Sequence, residues 1–195
     1  MNRHLELLDA IRRCDRCAAV LPQPPRPILQ WHPAARLLIA GQAPGRVAQA
    51  SGIPFDDVSG ERLRDWLGLD RATFYDPEQV AILPMGFCFP GSGRNGDLPP
   101  RPECADAWRE RCLAQLPRRR LTLAIGRHAQ RWHLPGTARP LTEVVRDWRA
   151  YGPGLLPLPH PSPRNALWLR RNPWFESELL PELRRRVAAV LAAGD

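Results

Sequence analysis

The sequence predicts an α/β fold: a mostly parallel sheet covered by helices on both faces. Three observations carry this. Four short apolar runs, near 36–40, 79–83, 121–125 and 155–158, lack the alternation of a half-exposed strand. Segments of helical periodicity separate them. Stretches rich in turn residues, 41–57, 84–103 and 159–168, each follow a run, and in a parallel sheet such loops gather at one edge. That shared edge is the candidate site. The chain has 195 residues, 44% of them hydrophobic, enough for a full core. No internal repeat or compositional break divides it, so one domain over 1–195 is expected.

Leu5, Leu8 and Ile11, with Leu7 beside Ile11, mark a first amphipathic helix ending at Cys14-Asp15-Arg16-Cys17. A proline-rich stretch, Pro22 to Pro33, leads to the first strand, Leu37-Leu38-Ile39-Ala40. Next come Gly41-Gln42-Ala43-Pro44-Gly45 and Gly52-Ile53-Pro54-Phe55-Asp56-Asp57. Glycines and prolines at a strand exit bring backbone close to a ligand. Ser59 is the expected cap of a helix burying Leu63, Trp66 and Leu67. The second strand, Gln79-Val80-Ala81-Ile82-Leu83, opens into a long loop from Pro84 to Glu103. Trp108, Cys112 and Leu116 recur at helical spacing, so a helix follows. Leu121-Thr122-Leu123-Ala124-Ile125 is the third strand, closed by Gly126, with a short helix through Trp132. An irregular section around Trp148 and Tyr151 precedes the fourth strand, Leu155-Leu156-Pro157-Leu158. A last helix is expected from Asn172-Pro173, a cap followed by proline, with Leu180, Leu183, Val187 and Val190 as its buried stripe.

The formal charge is +8, and with no lysine present all 28 basic residues are arginines. Guanidinium groups recognise phosphate through paired hydrogen bonds, and a basic surface favours polyanions such as nucleic acid. No apolar run approaches the roughly 20 residues of a membrane span. The N-terminus, Met1-Asn2-Arg3-His4-Leu5-Glu6, lacks the apolar stretch of a secretory signal, so a cytoplasmic location is expected. His128 and His133, beside Arg127 and Arg131, are expected to meet phosphate, and His4 and His32 to lie at the surface.

Five cysteines occur. Cys14 and Cys17 have the spacing that lets two thiolates grip one metal centre, and Cys88 and Cys104 have 15 residues between them. Disulfides are rare in the cytoplasm. Four thiolates in two groups suit a [4Fe–4S] cluster or a structural zinc, and the spacing alone leaves both open. Cys112 sits on the apolar face of its helix and reads as core.

In order and spacing these residues resemble the uracil-DNA glycosylase superfamily, and within it the iron–sulfur branch. Gly41-Gln42-Ala43-Pro44-Gly45 is similar to the family's first motif, and Gly52-Ile53-Pro54-Phe55 to the stretch that follows it. His160-Pro161-Ser162-Pro163-Arg164-Asn165 resembles the second motif, in the form found in the single-strand-selective monofunctional branch. Cys14, Cys17, Cys88 and Cys104 match the cluster ligands, which raises [4Fe–4S] above zinc. The resemblance implies a three-layer α/β/α sandwich with a central four-stranded parallel sheet. It also implies hydrolysis of the N-glycosidic bond of uracil or another deaminated base in DNA, single- or double-stranded; a monomer without membrane contact is expected. The target nucleotide is flipped out of the stack.

By the same resemblance, Phe55 stacks on the extruded base and His160 donates to its carbonyl as charge builds there. Gln42 orients water, and backbone at Gly41, Ala43 and Gly45, with Pro84 and Met85, lines the base edge. Ser162, Arg164, Asn165 and Leu167 meet the DNA, with Leu167 and Trp168 as a wedge for the vacated stack. Two departures stand out. Gln42 replaces the branch's usual glutamate and, as an amide, cannot take a proton from water; Ala43 replaces the aspartate of another branch. Pro84 stands where the family carries its base-reading asparagine, which weakens the expectation of strict uracil specificity. A non-catalytic nucleic-acid-binding or damage-sensing protein on the same fold is the alternative reading.

Overall fold

The computed structural model describes residues 3–94, 96–134, 136 and 138–193. Met1 and Asn2 of the N-terminal reading, and Asn95 of the 84–103 loop, lie outside the described residues. Helix α1 (Arg3–Arg12) leads through the proline-rich segment to β1 (Leu37–Ala40). Helices α2 (Arg46–Ser51) and α3 (Val58–Leu67) and the single turn α4 (Arg71–Phe74) return the chain to β2 (Val80–Ile82). A small hairpin of β3 (Ser92–Gly93) and β4 (Gly96–Asp97) interrupts the next loop before α5 (Pro102–Leu113) and β5 (Leu121–Ile125). Then come α6 (Gly126–His133), α7 (Leu141–Arg146), β6 (Leu155–Leu158), α8 (Ala166–Arg171) and α9 (Leu180–Ala192).

The main sheet has the order β2-β1-β5-β6, every pair parallel. Successive strand residues point to opposite faces, and both faces are buried, which is why the runs show no polar alternation. On one face Leu37, Ile39, Val80, Ile82, Leu121 and Leu123 meet Leu63, Trp66 and Leu67 of α3 and Leu183 and Val187 of α9. On the other, Leu38 and Ala81 meet Leu7 and Ile11 of α1 and Trp108 and Cys112 of α5. Ala40 and Ala124 meet Ala129 of α6 there, small residues letting that helix lie close. The result is the expected three-layer α/β/α sandwich. Among the described residues no helix is long and apolar enough to cross a membrane.

One margin of the sheet is partly covered, and the other carries a proline. Along β2, Gln30 exchanges backbone hydrogen bonds with Ile82, and its side-chain amide donates to the Val80 carbonyl. Along β6, Thr122 takes the Gly154 carbonyl, so by strand alternation the missing N–H of Pro157 falls on the outer side, where no partner strand needs it.

Several local expectations are corrected. Asp57, not Ser59, caps α3: its carboxylate accepts from the Gly60 amide at 2.9 Å, and Ser59 lies in the first turn. The helical run after Asn172-Pro173 begins with a wide π turn, Phe175–Leu179, before α9. Pro181 has no N–H for the Ser177 carbonyl and its ring crowds that carbonyl, and the wider turn relieves the clash. Leu116 is buried but lies beyond the end of α5. His4 is buried, its Nε2 3.0 Å from the Trp31 carbonyl, and His32 is half-buried against it.

Candidate active site

The loops after β1, β2 and β6 converge, as the parallel order requires, around a cavity of about 670 Å³. Gly41, Gln42, Ala43, Pro44 and Gly45 line it from β1, Pro84 from β2, and His160, Ser162, Arg164 and Asn165 from β6. The first loop continues the sheet's bonding beyond the strands. The Gly41 and Gln42 carbonyls accept from the amides of Met85 and Gly86, at 2.9 Å each.

Phe55 is set in this cavity by a strained backbone. Its φ of 55° makes it the one non-glycine residue among those described in the left-handed region. Two neighbours hold it there. The Tyr75 hydroxyl donates to the Phe55 carbonyl at 3.1 Å, and Gly60 leaves room for that carbonyl where any Cβ would collide with it. The ring lies over Gly41, where a Cβ would sit 3.2 Å from the Phe55 Cζ, and Phe74 supports it edge-on from the core. Across the cavity the Phe55 and His160 rings face each other at 6.5 Å between centroids, tilted by 30°.

His160 is held with equal care. The Ser162 amide donates to its Nδ1 at 3.2 Å, so Nδ1 is unprotonated and the neutral ring carries its proton on Nε2. Burial lowers its pKa; the charges of Asp57 and Asp97 oppose that shift without overcoming it. The Asn165 amide donates to the His160 carbonyl at 2.7 Å, and Arg62 donates to the Ser162 carbonyl at 3.0 Å. This segment is therefore a braced loop presenting one neutral N–H donor.

Other expected residues divide. Gln42 lines the cavity and donates weakly to the Leu98 carbonyl at 3.4 Å. Pro84 lines it too, but its carbonyl and that of Leu83 are turned to the buried Arg109 guanidinium. Met85 does not line it: the side chain is buried among Ala40, Ala124 and Ala129, because the residue after Pro84 points to the opposite face of the sheet. Arg164 is exposed at the rim, its guanidinium occupying the space a Cβ on Gly96 would need. Leu167 is 48% exposed on α8, whereas Trp168 packs against Trp174 and Phe175 and donates to Thr142.

Of the basic cluster after β5, only Arg127 lines the cavity. His128 and Arg131 border a separate hollow with Trp132, on the side of α5. His133 turns inward, 2.6 Å from the Arg109 guanidinium, and burial followed by the charges of Arg109 and Arg119 lowers its pKa to about 3. It is a neutral acceptor for Arg109 and not a phosphate contact. Two carboxylates, Asp57 and Asp97, also line the cavity. Asp57 was visible only as the end of the PFDD stretch, and Asp97 lies in a hairpin too short to show periodicity.

Cys14, Cys17, Cys88 and Cys104 converge on one small pocket behind the β2 exit, walled by Pro25, Phe87 and Trp108. All four are half-buried free thiols. Among the described residues no three His, Cys, Asp or Glu groups are drawn together tightly enough for a single ion. The donor set nonetheless fits a thiolate-bound centre. Trp108 Nε1 donates to the Cys14 sulfur and the Phe87 amide to the Cys104 sulfur, each at 3.3 Å. Burial, then neighbouring sulfurs, pushes the Cys88 thiol up to about 11 and the Cys104 thiol up to about 12. A bound cation would reverse that preference.

An α/β/α sandwich whose loops enclose a cavity between an aromatic ring and a neutral imidazole is suited to hold a planar polar ring. A model of the uracil DNA glycosylase superfamily matches residues 30–184. The chain belongs to that superfamily, whose members are glycosylases acting on DNA.

Proposed function

We propose that the chain removes uracil or another deaminated base from DNA by hydrolysing the N-glycosidic bond. The observation that carries this is the pair of facing rings, Phe55 and His160, across the cavity, with the His160 proton on Nε2. A flipped base stacks on Phe55. As the C–N bond breaks, charge builds on the base carbonyl, and the Nε2–H of His160 donates to it. The ring is already neutral and braced, so no reorganisation accompanies the reaction. Leu167, exposed on α8, enters the vacated stack, and Arg164 at the rim holds the flanking phosphate. Because Pro84 offers no side-chain amide, the base edge is read by Gln42 and the backbone of the Gly41–Gly45 loop. Hypoxanthine and xanthine are therefore substrates to test beside uracil.

Cys14, Cys17, Cys88 and Cys104 would hold the cofactor, read here as a [4Fe–4S] cluster with zinc as the alternative. When bound, such a centre cross-links the segment after α1 to the β2 exit and α5. Iron and acid-labile sulfide in anaerobically purified protein support the cluster; colourless protein with stoichiometric zinc overturns it.

The test of function is base release from single-stranded and duplex oligonucleotides carrying uracil, hypoxanthine or xanthine. Wild-type protein releases at least one of them, and His160→Ala lowers that rate by about 100-fold or more. Pro84 on the cavity floor favours the second reading, a damage-binding protein without catalysis. DNA binding with no release above the His160→Ala control would establish it.

A further inference from the structure

We propose that Asp57, the cap of α3, is also the carboxylate that holds and deprotonates the attacking water; this rests on the glycosylase reading above. The first motif cannot fill that role: Gln42 is an amide and Ala43 carries no polar group. Asp57 and Asp97 are the carboxylates that line the cavity among the described residues. Each has one oxygen engaged and turns the other toward Gly45. Asp57 Oδ1 accepts from the Gly60 amide, and Asp97 Oδ1 from the Ser92 hydroxyl at 3.2 Å. Their Oδ2 atoms lie 3.7 and 3.4 Å from the point a Cβ on Gly45 would occupy, so the bare glycine leaves a polar gap between them.

Rigidity selects Asp57. It is half-buried, fixed by the first turn of α3, and stands two residues after Phe55, so the strained turn that aims the ring also aims the carboxylate. Asp97 is exposed on a two-residue strand. Asp57 is also the leading charge acting on His160. The C1′–N bond breaks with its electron pair leaving on the base, where the charge is met by His160. A water oxygen forms the new C1′–O bond and passes its proton to Asp57. The released base takes a proton from solvent. The anion also favours the cationic sugar between the two events.

The experiment is single-turnover base release at saturating enzyme by wild type, Asp57→Asn and Asp57→Ser. Asn and Ser cap helices about as well as Asp, so both variants keep the fold. The expected result is a rate about 100-fold lower or less still, with melting temperature and DNA affinity unchanged. Wild-type activity with Asp57→Asn within about threefold of it overturns the role of Asp57 and leaves the glycosylase reading standing. A lower melting temperature in both variants, in step with activity, also overturns it, since the residue then serves only the helix. So does a larger loss in Asp97→Asn than in Asp57→Asn. Wild-type protein that binds DNA but releases no base removes both readings together.

Discussion

Burial holds the His160 imidazole neutral, and the Ser162 amide decides which nitrogen keeps the proton. His133 shows the same force without a cavity to serve. With its pKa lowered from 6.5 to about 3, it stays neutral and accepts from Arg109. The consequence for stability has a definite sign. Between those two values the unfolded chain binds a proton that the folded chain refuses, so stability falls as pH drops. The contribution is complete above the unfolded value and is lost progressively toward the folded one. His4, His128 and His160 are lowered too and add to the slope. Thermal melts between pH 7 and pH 4 should therefore show a falling melting temperature, and His133→Gln should flatten part of the fall.

At the scale of elements, the turn from α2 into α3 carries the greatest constraint. Phe55 keeps its left-handed backbone because Gly60 makes way for its carbonyl. Gly60→Ala forces a Cβ against that backbone oxygen, which cannot yield as a side chain would. The expected loss is at least about 2 kcal/mol in urea titration, with base release lost as the Phe55 ring leaves Gly41. This constraint was not legible in the sequence, where Gly60 is one glycine inside a helical pattern. The strands were legible because each is a continuous apolar run, and β5 and β6 fall where the runs lie. The cysteine grouping was legible from spacing, since CxxC fixes two thiols before any fold is known. Asp57 was misjudged against Ser59 because both residues are good caps and only the backbone path separates them. The inward turn of His133 was hidden because its partner Arg109 lies on another helix, 24 residues away.

Over the whole molecule the arginines divide between structure and surface. Arg109 is 2% exposed and bonded to backbone carbonyls, Arg26 holds the carbonyls at the end of α2, and Arg62 braces the second motif. The +8 charge thus overstates what is offered to DNA. Arg127 and Arg164, exposed at the cavity rim, are the two placed to meet phosphates beside a flipped nucleotide. Affinity for a damaged duplex should fall linearly with salt on logarithmic axes. The Arg127→Ala, Arg164→Ala double variant should lose about two units of that slope, measured by fluorescence anisotropy across a sodium chloride series.

Gln30 and Pro157 have an effect that reaches beyond the single chain. An open parallel sheet ordinarily offers its flanks as templates on which a neighbouring polypeptide can zip itself, the first step toward fibres. Here Gln30 occupies one flank at Ile82, and on the other Pro157 removes one of the outward donors that recruitment would use. Both features make edge-to-edge pairing of copies less favourable and leave helical and loop surfaces as the easier contacts.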